Sequence, residues 1–227
     1  MEEYDGTPVR DLILRDAPDA PLSEYLVYVM SAYTAYDLQQ ALDGYEEQVN
    51  LPELYPPDAL FDPEVHESME AAIGDLCGEI REATNARAFI ATDVNIPTIT
   101  EVQNDDLDEL GMTPLEQSIV FAQESNAVVF VFPYAGIPIG VASEAGALCE
   151  HFKLRAADPA DRTKPRDRFR LFREAGVGSA TVEEFEFDYE LKFAVYESRD
   201  ELVHTIKRFL QQLQHREQDD EFPVYRE

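Results

Sequence analysis

The sequence predicts an α/β fold: a doubly wound, mainly parallel five-stranded sheet with helices on both faces. Three observations carry this. Apolar runs rich in β-branched and aromatic residues recur five times, and helix-period segments separate them. Residues 126–152 then read as a strand, a Pro/Gly loop and a helix carrying Glu144. The six apolar residues Ala127-Val-Val-Phe-Val-Phe132 suit a strand buried on both faces.

Taken in order, residues 1–21 mix charges with Pro18 and Pro21 and read as an N-terminal extension, with a helical turn or two from Val9 to Leu14. Tyr25 to Met30 forms the first strand by its β-branched and aromatic content. Ser31 to Asp37 turns into a helical stretch from Leu38 to Leu42, and the Pro-rich insertion at 51–63 reads as irregular. From Pro63 to Thr84, apolar residues at Val65, Met69, Ala72, Ile73, Leu76 and Ile80 follow the spacing of an amphipathic helix that opens on proline.

Ala86 to Thr92 reads as the second strand, ending at Asp93. Thr113-Pro-Leu-Glu116 is a capping box with proline at the first helical position, predicting a helix to Ser125. The third strand and the Glu144 helix follow. A polar connection from Arg155 to Arg168 leads to a strand at Phe169–Phe172, a helix over 179–186, a strand over 190–196, and a helix from Ser198 to Gln214. Residues 22–214 thus make one domain, and 215–227 read as a frayed acidic tail.

Eighteen Lys and Arg against 47 Asp and Glu give a formal net charge of −29, spread along the whole chain of 227 residues. Such self-repulsion opposes compaction in dilute buffer, whereas at about 1 M salt the Debye length is only about 3 Å. Only four of the basic residues are lysine. This composition predicts a halophilic, cytoplasmic protein. It argues against nucleic acid and anionic membranes as partners, because no basic stripe exists to neutralise phosphates. The start has no signal-peptide pattern, and no apolar run reaches the roughly 18 residues that span a bilayer. Cys77 and Cys149 lack metal-site spacing, and His66, His151, His204 and His215 are scattered, so neither a metal nor a cofactor is expected.

Gly140-Val-Ala-Ser-Glu144-Ala-Gly146-Ala, directly after a buried strand, resembles the signature of the nucleoside 2-deoxyribosyltransferase family, and Tyr28-Val-Met30 with Ser31-Ala-Tyr33 is similar to that family's first strand and substrate-lining turn. The likeness covers roughly residues 22–214 and implies a flavodoxin-like order of strands. It departs at Val141, where the family has threonine, and at Asn126, where it has aspartate. TIR-type NAD glycohydrolases share a related sheet and also use one helical glutamate. The chain further looks like a haloarchaeal family of this fold.

The resemblance implies Glu144 as catalytic carboxylate for cleavage of an N-glycosidic bond, whose transition state develops positive charge at the anomeric carbon. Asp93 is the second catalytic candidate, placed to orient or protonate the leaving base. Ser31, Tyr33, Tyr36, Asn126, Tyr134, Gly140 and Ser143 are the candidate substrate contacts, with Ala142, Ser143, Ala145, Gly146 and Ala147 as a small-residue lining beside the carboxylate. The expected ligand is a nucleoside, nucleotide or NAD-like molecule, bound by a homo-oligomer. Plainer roles stand beside these: Glu144 as a charge facing a helix dipole, Asp93 as a turn cap, the tyrosines as packing, the glycines as helix contacts. A nucleotide-sensing or interaction module with the same fold is the alternative function.

Overall fold

The computed structural model describes residues 2–31, 63–104, 110–133, 139–176 and 180–219. The Leu38–Leu42 helix, most of the 51–63 insertion, and Tyr33, Tyr36 and Tyr134 lie outside the described residues.

The chain opens with a two-residue hairpin, β1 (Glu3–Tyr4) and β2 (Thr7–Pro8), closed by Asp5 and Gly6 at φ 48° and 72°. Two consecutive positive φ angles on Asp-Gly are what a type I′ turn requires. Helix α1 (Val9–Asp16) follows, then strand β3 (Leu22–Met30), helix α2 (Pro63–Thr84), strand β4 (Ala86–Phe89), helices α3 (Ile99–Asn104) and α4 (Pro114–Glu124), and strand β5 (Ala127–Phe132). Helix α5 (Ile139–His151), strand β6 (Phe169–Glu174), helix α6 (Ala180–Asp188), strand β7 (Phe193–Tyr196) and helix α7 (Arg199–Gln218) complete it.

The main sheet has five parallel strands in the order β4-β3-β5-β6-β7, so the chain winds one way from β3 and the other way from β5. This is the doubly wound, flavodoxin-like order, and it puts a topological switch point between β3 and β5. Alternation along the strands fills two cores. Leu26, Tyr28, Met30, Phe89, Val128, Phe130 and Phe132 face α1, α4, α5 and α6; Val27, Val29, Ala88, Val129 and Val131 face α2 and α7.

Local signals set several boundaries. Thr113 and Glu116 form the predicted capping box, the Thr113 hydroxyl accepting from Glu116 N (3.2 Å) and Glu116 Oε2 from Thr113 N (2.8 Å). Asn85 ends α2 in the left-handed region (φ 61°), donating its N–H to Arg81 O.

Two expectations about the ends are corrected. Val9 and Ile13 are fully buried and α1 belongs to the core beneath α4, so residues 9–17 are part of the domain and not an extension. At the other end α7 continues to Gln218 because Glu217 is buried, where its carboxylate accepts from Arg168 at 2.6 Å. Residues 215–218 are therefore docked helix.

The amino edge of the sheet holds a cluster of buried polar contacts. Helix α4 ends there, and its last carbonyls need donors. Buried basic side chains supply them: Lys164 donates to Gln123 O (3.0 Å) and Ser125 O, Arg10 to Glu124 O (2.6 Å), and Arg168 to Asn126 O (2.8 Å). Burial pushes the Lys164 ammonium well below its ordinary range, with the Arg168 charge adding to this.

Candidate functional site

In a doubly wound sheet, ligands bind at the carboxyl ends of the strands beside the switch point. Here that crevice lies beyond Met30 of β3 and Phe132 of β5. Ser31 follows β3 directly and is buried, and α5 rises from the connection after β5.

Helix α5 begins at Ile139, so Gly140 is its second residue and Glu144 its sixth. The predicted dipole effect on Glu144 is weaker than a first-turn position would give, since the effect fades after that turn. The place of Glu144 is better read from its neighbour Tyr28. Burial raises the pKa of the Tyr28 phenol, and the Glu144 charge raises it further. Thus the Glu144 carboxylate acts on the face of β3 that carries Tyr28. The Tyr28 and Ser118 hydroxyls lie 3.4 Å apart, and the Tyr28 ring stacks on Phe89 (5.3 Å) and meets Phe121 edge-on (5.7 Å). A half-buried carboxylate whose charge acts on a buried phenol is the chemical core of the candidate site.

The other predicted residues divide. Successive helix residues are about 100° apart, so one lining cannot hold both Glu144 and the whole small-residue set. Ala142 and Ala145 are buried in the core. Ser143, Gly146 and Ala147, with Ala142 at the edge, line a cavity of about 280 Å³ between α5 and α6, together with Glu150, Arg155 and Tyr189. Ser143 is therefore on the α6 side of the helix, away from Tyr28.

Asp93 ends a short 3-10 turn after β4, and its Oδ2 accepts the Ile90 N–H at 3.0 Å. Its charge raises the already burial-raised thiol of Cys77 on α2, a residue of the opposite core from Tyr28. The capping role fits this geometry. Asn126 is also not at the crevice. It precedes β5, at the amino edge, where its N–H donates to Leu26 O (2.8 Å) and its Oδ1 accepts from Leu26 N (2.9 Å). It locks β5 to β3, which an aspartate would do equally well as acceptor.

Tyr28 and Ser118 are the residues that the sequence reading left without a site role. Tyr28 shares the alternating face of Leu26 and Met30, and Ser118 lies one turn into a helix whose start the capping box marks. That pattern is a signal for shared facing, although not for the electrostatic influence of Glu144 on Tyr28.

Among the described residues no group of His, Cys, Asp or Glu could hold a metal ion, and no helix is long and apolar enough to cross a membrane. His151, His204 and His215 are exposed on helices. Neither the curated proteins nor the solved structures include a match to this chain. Over residues 10–226, from within α1 through α7, the sequence fits one family model, and the chain belongs to that family, the domain of unknown function DUF7509.

Proposed function

We propose that this protein cleaves or transfers the N-glycosidic bond of a nucleoside or nucleotide, with Glu144 as the carboxylate that meets the anomeric carbon. The observation that supports this reading is the position of Glu144: on the helix that leaves the switch-point strand, close enough to Tyr28 for its charge to act on that buried phenol. In the proposed reaction a Glu144 oxygen attacks the anomeric carbon as the bond to the base nitrogen breaks. The base leaves with that electron pair and takes a proton from water. Water, or the nitrogen of a second base, then attacks the same carbon and frees the carboxylate. Asp93 is occupied with the Ile90 N–H, which weighs against its role as proton donor.

The same engagement of Asp93 favours the second reading, a module that binds a nucleotide in this crevice without turnover. Incubating the protein in molar KCl with nucleosides, deoxynucleosides, nucleotides and NAD, and following free base by chromatography, separates the two. Base release that disappears in Glu144→Gln, with the folded state intact, is the expected result. Saturable binding with no base release from any compound means the module. We further propose a homo-oligomer adapted to high salt; light scattering in molar KCl that returns the single-chain mass of 25.8 kDa refutes the assembly.

A further inference from the structure

The two outermost strands of the main sheet differ in cover. All four residues of β4 are buried, whereas β7 carries half-buried Phe193 and Ala194 and an exposed Val195, 49 % accessible. Among the described residues no strand pairs with the outer side of β7.

The ladder with β6 fixes which backbone groups are left over. Leu171 N–H donates to Lys192 O (3.2 Å) and Ala175 N–H to Tyr196 O (2.8 Å), so β6 takes the even-numbered residues. Alternate residues of a strand turn their N–H and C=O to opposite sides, and those of Phe193 and Val195 therefore point to the open side. Exposed edges in native sheets are blunted by charge, proline or a bulge. Phe193-Ala-Val-Tyr196 contains no charge and no proline, and it pairs with β6 without a register shift. No carboxylate lies between Glu190 and Glu197, in a chain with 47 acids. One exposed valine alone needs no partner. The uncharged, open edge around it carries the inference.

We infer that two copies of this chain pair through β7, antiparallel about a two-fold axis at Ala194, which joins their five-stranded sheets edge to edge. The outward groups set this register. With Ala194 opposite itself, Phe193 faces the partner's Val195 and Val195 the partner's Phe193, and each such pair exchanges two N–H···O bonds. Each also sets an aromatic side chain against a β-branched one, on the sheet face where Phe193 packs on the core. Ala194, the smallest residue of the strand, takes the axis, where opposed strands approach most closely. A two-fold contact lays a surface on its own copy, so an acidic edge would repel itself, and this edge has no acid. The assembly also closes, because each β7 is used once and β4 is covered. The interface specifies the homo-oligomer proposed above and does not depend on Glu144 chemistry.

Light scattering of the full chain in molar KCl should return twice the single-chain mass of 25.8 kDa. Val195→Pro removes one outward N–H without touching a bond to β6, and Val195→Lys charges the edge. Each should weaken the dimer at least tenfold, while Leu115→Lys, on the exposed surface of α4, should leave it unchanged. Under oxidation Ala194→Cys should give a disulfide-linked dimer, since residues opposed at this position have Cα atoms about 4.5 Å apart, and Val195→Cys should not. A single-chain mass for the parent overturns the interface together with the assembly. An assembly that survives both Val195→Pro and Val195→Lys, that Leu115→Lys weakens equally, or that Ala194→Cys does not cross-link, overturns the interface and leaves the assembly standing.

Discussion

The two edges of the sheet are built on different principles. At the amino edge the carbonyls of residues 123–126 are each met by a buried basic side chain, and Asn126 ties β5 to β3 through both its backbone and its side chain. At the carboxyl edge the crevice is framed by buried Ser31, by Asp93 on its turn, and by Glu144, whose charge acts on the Tyr28 phenol. A chain with eighteen basic residues for forty-seven acids has placed three of them at one buried turn. Structural stability is thereby concentrated away from the crevice, which leaves the opposite edge free to vary its connections, as scaffolds of this class do.

The largest expected effect comes from removing one of the buried cations. Arg168 is fully buried and pairs with Glu217, which is 7 % exposed. Arg168→Met leaves Glu217 charged and unpaired and deprives Asn126 O of a donor. Breaking a buried pair from one side costs about 3–5 kcal/mol. Denaturant unfolding in molar KCl should show a loss of that size, and Arg168→Met with Glu217→Leu should recover part of it. A loss below about 1 kcal/mol would mean that the amino edge is not the anchored one.

Gly111 sharpens the comparison from the other side, because it is a fixed point among the connections at the carboxyl edge. A Cβ there would lie 2.6 Å from Ile99 Cα and N and 2.7 Å from Thr98 O, all backbone atoms. They cannot move without disturbing the Ile99 N–H to Met112 O and Met112 N–H to Pro97 O bonds. Overpacking of this kind costs about 1–3 kcal/mol, so the unfolding midpoint of Gly111→Ala should fall accordingly.

Alkali should act through the tyrosines. The Tyr189 phenol is pushed up to about 12, first by burial and then by donating to Glu150 at 2.7 Å. An unfolded tyrosine titrates near 10. Above that pH the unfolded chain releases a proton that the folded one retains, so stability is complete below about pH 10 and is lost as pH rises toward 12. Tyr25, Tyr28 and Tyr196 are raised in the same sense, mainly by burial. In an unfolding series over this range Tyr189→Phe should lose less stability than the parent, while starting lower by the lost Glu150 bond.

The legible parts of this molecule are those whose cause is local. Helix α2 starts at the predicted Pro63 and ends at the predicted Thr84, and the Thr113 box opens α4, because proline geometry and cap hydrogen bonds involve residues only a few positions apart. The Asp5-Gly6 hairpin is absent from the sequence expectations, because the two-residue strands beside it give no apolar alternation. What the residues did not disclose depends on distant partners. Nothing in the 215–227 composition indicates that Glu217 meets Arg168 forty-nine positions away, nor that α1 packs under α4. Similarly, Asn126 and Asp93 look like site residues in a string because both adjoin strands; which edge of the sheet each occupies, and which backbone N–H it serves, exists only after folding.

The smallest expected effect concerns Gly146, the second glycine of the stretch that resembles a deoxyribosyltransferase signature. A Cβ added there meets nothing within 4 Å, so helix packing does not explain it. Gly146→Ala should gain about 0.5–1 kcal/mol of helix stability. Glu144 and Gly146 are about 200° apart around α5, and Gly146 lines the cavity toward α6. If the chemistry belongs to the Tyr28 side of the helix, the added methyl group leaves base release unchanged. A variant that is more stable but inactive would move the ligand across α5, into the space that Ser143, Gly146 and Ala147 leave open beside Tyr189.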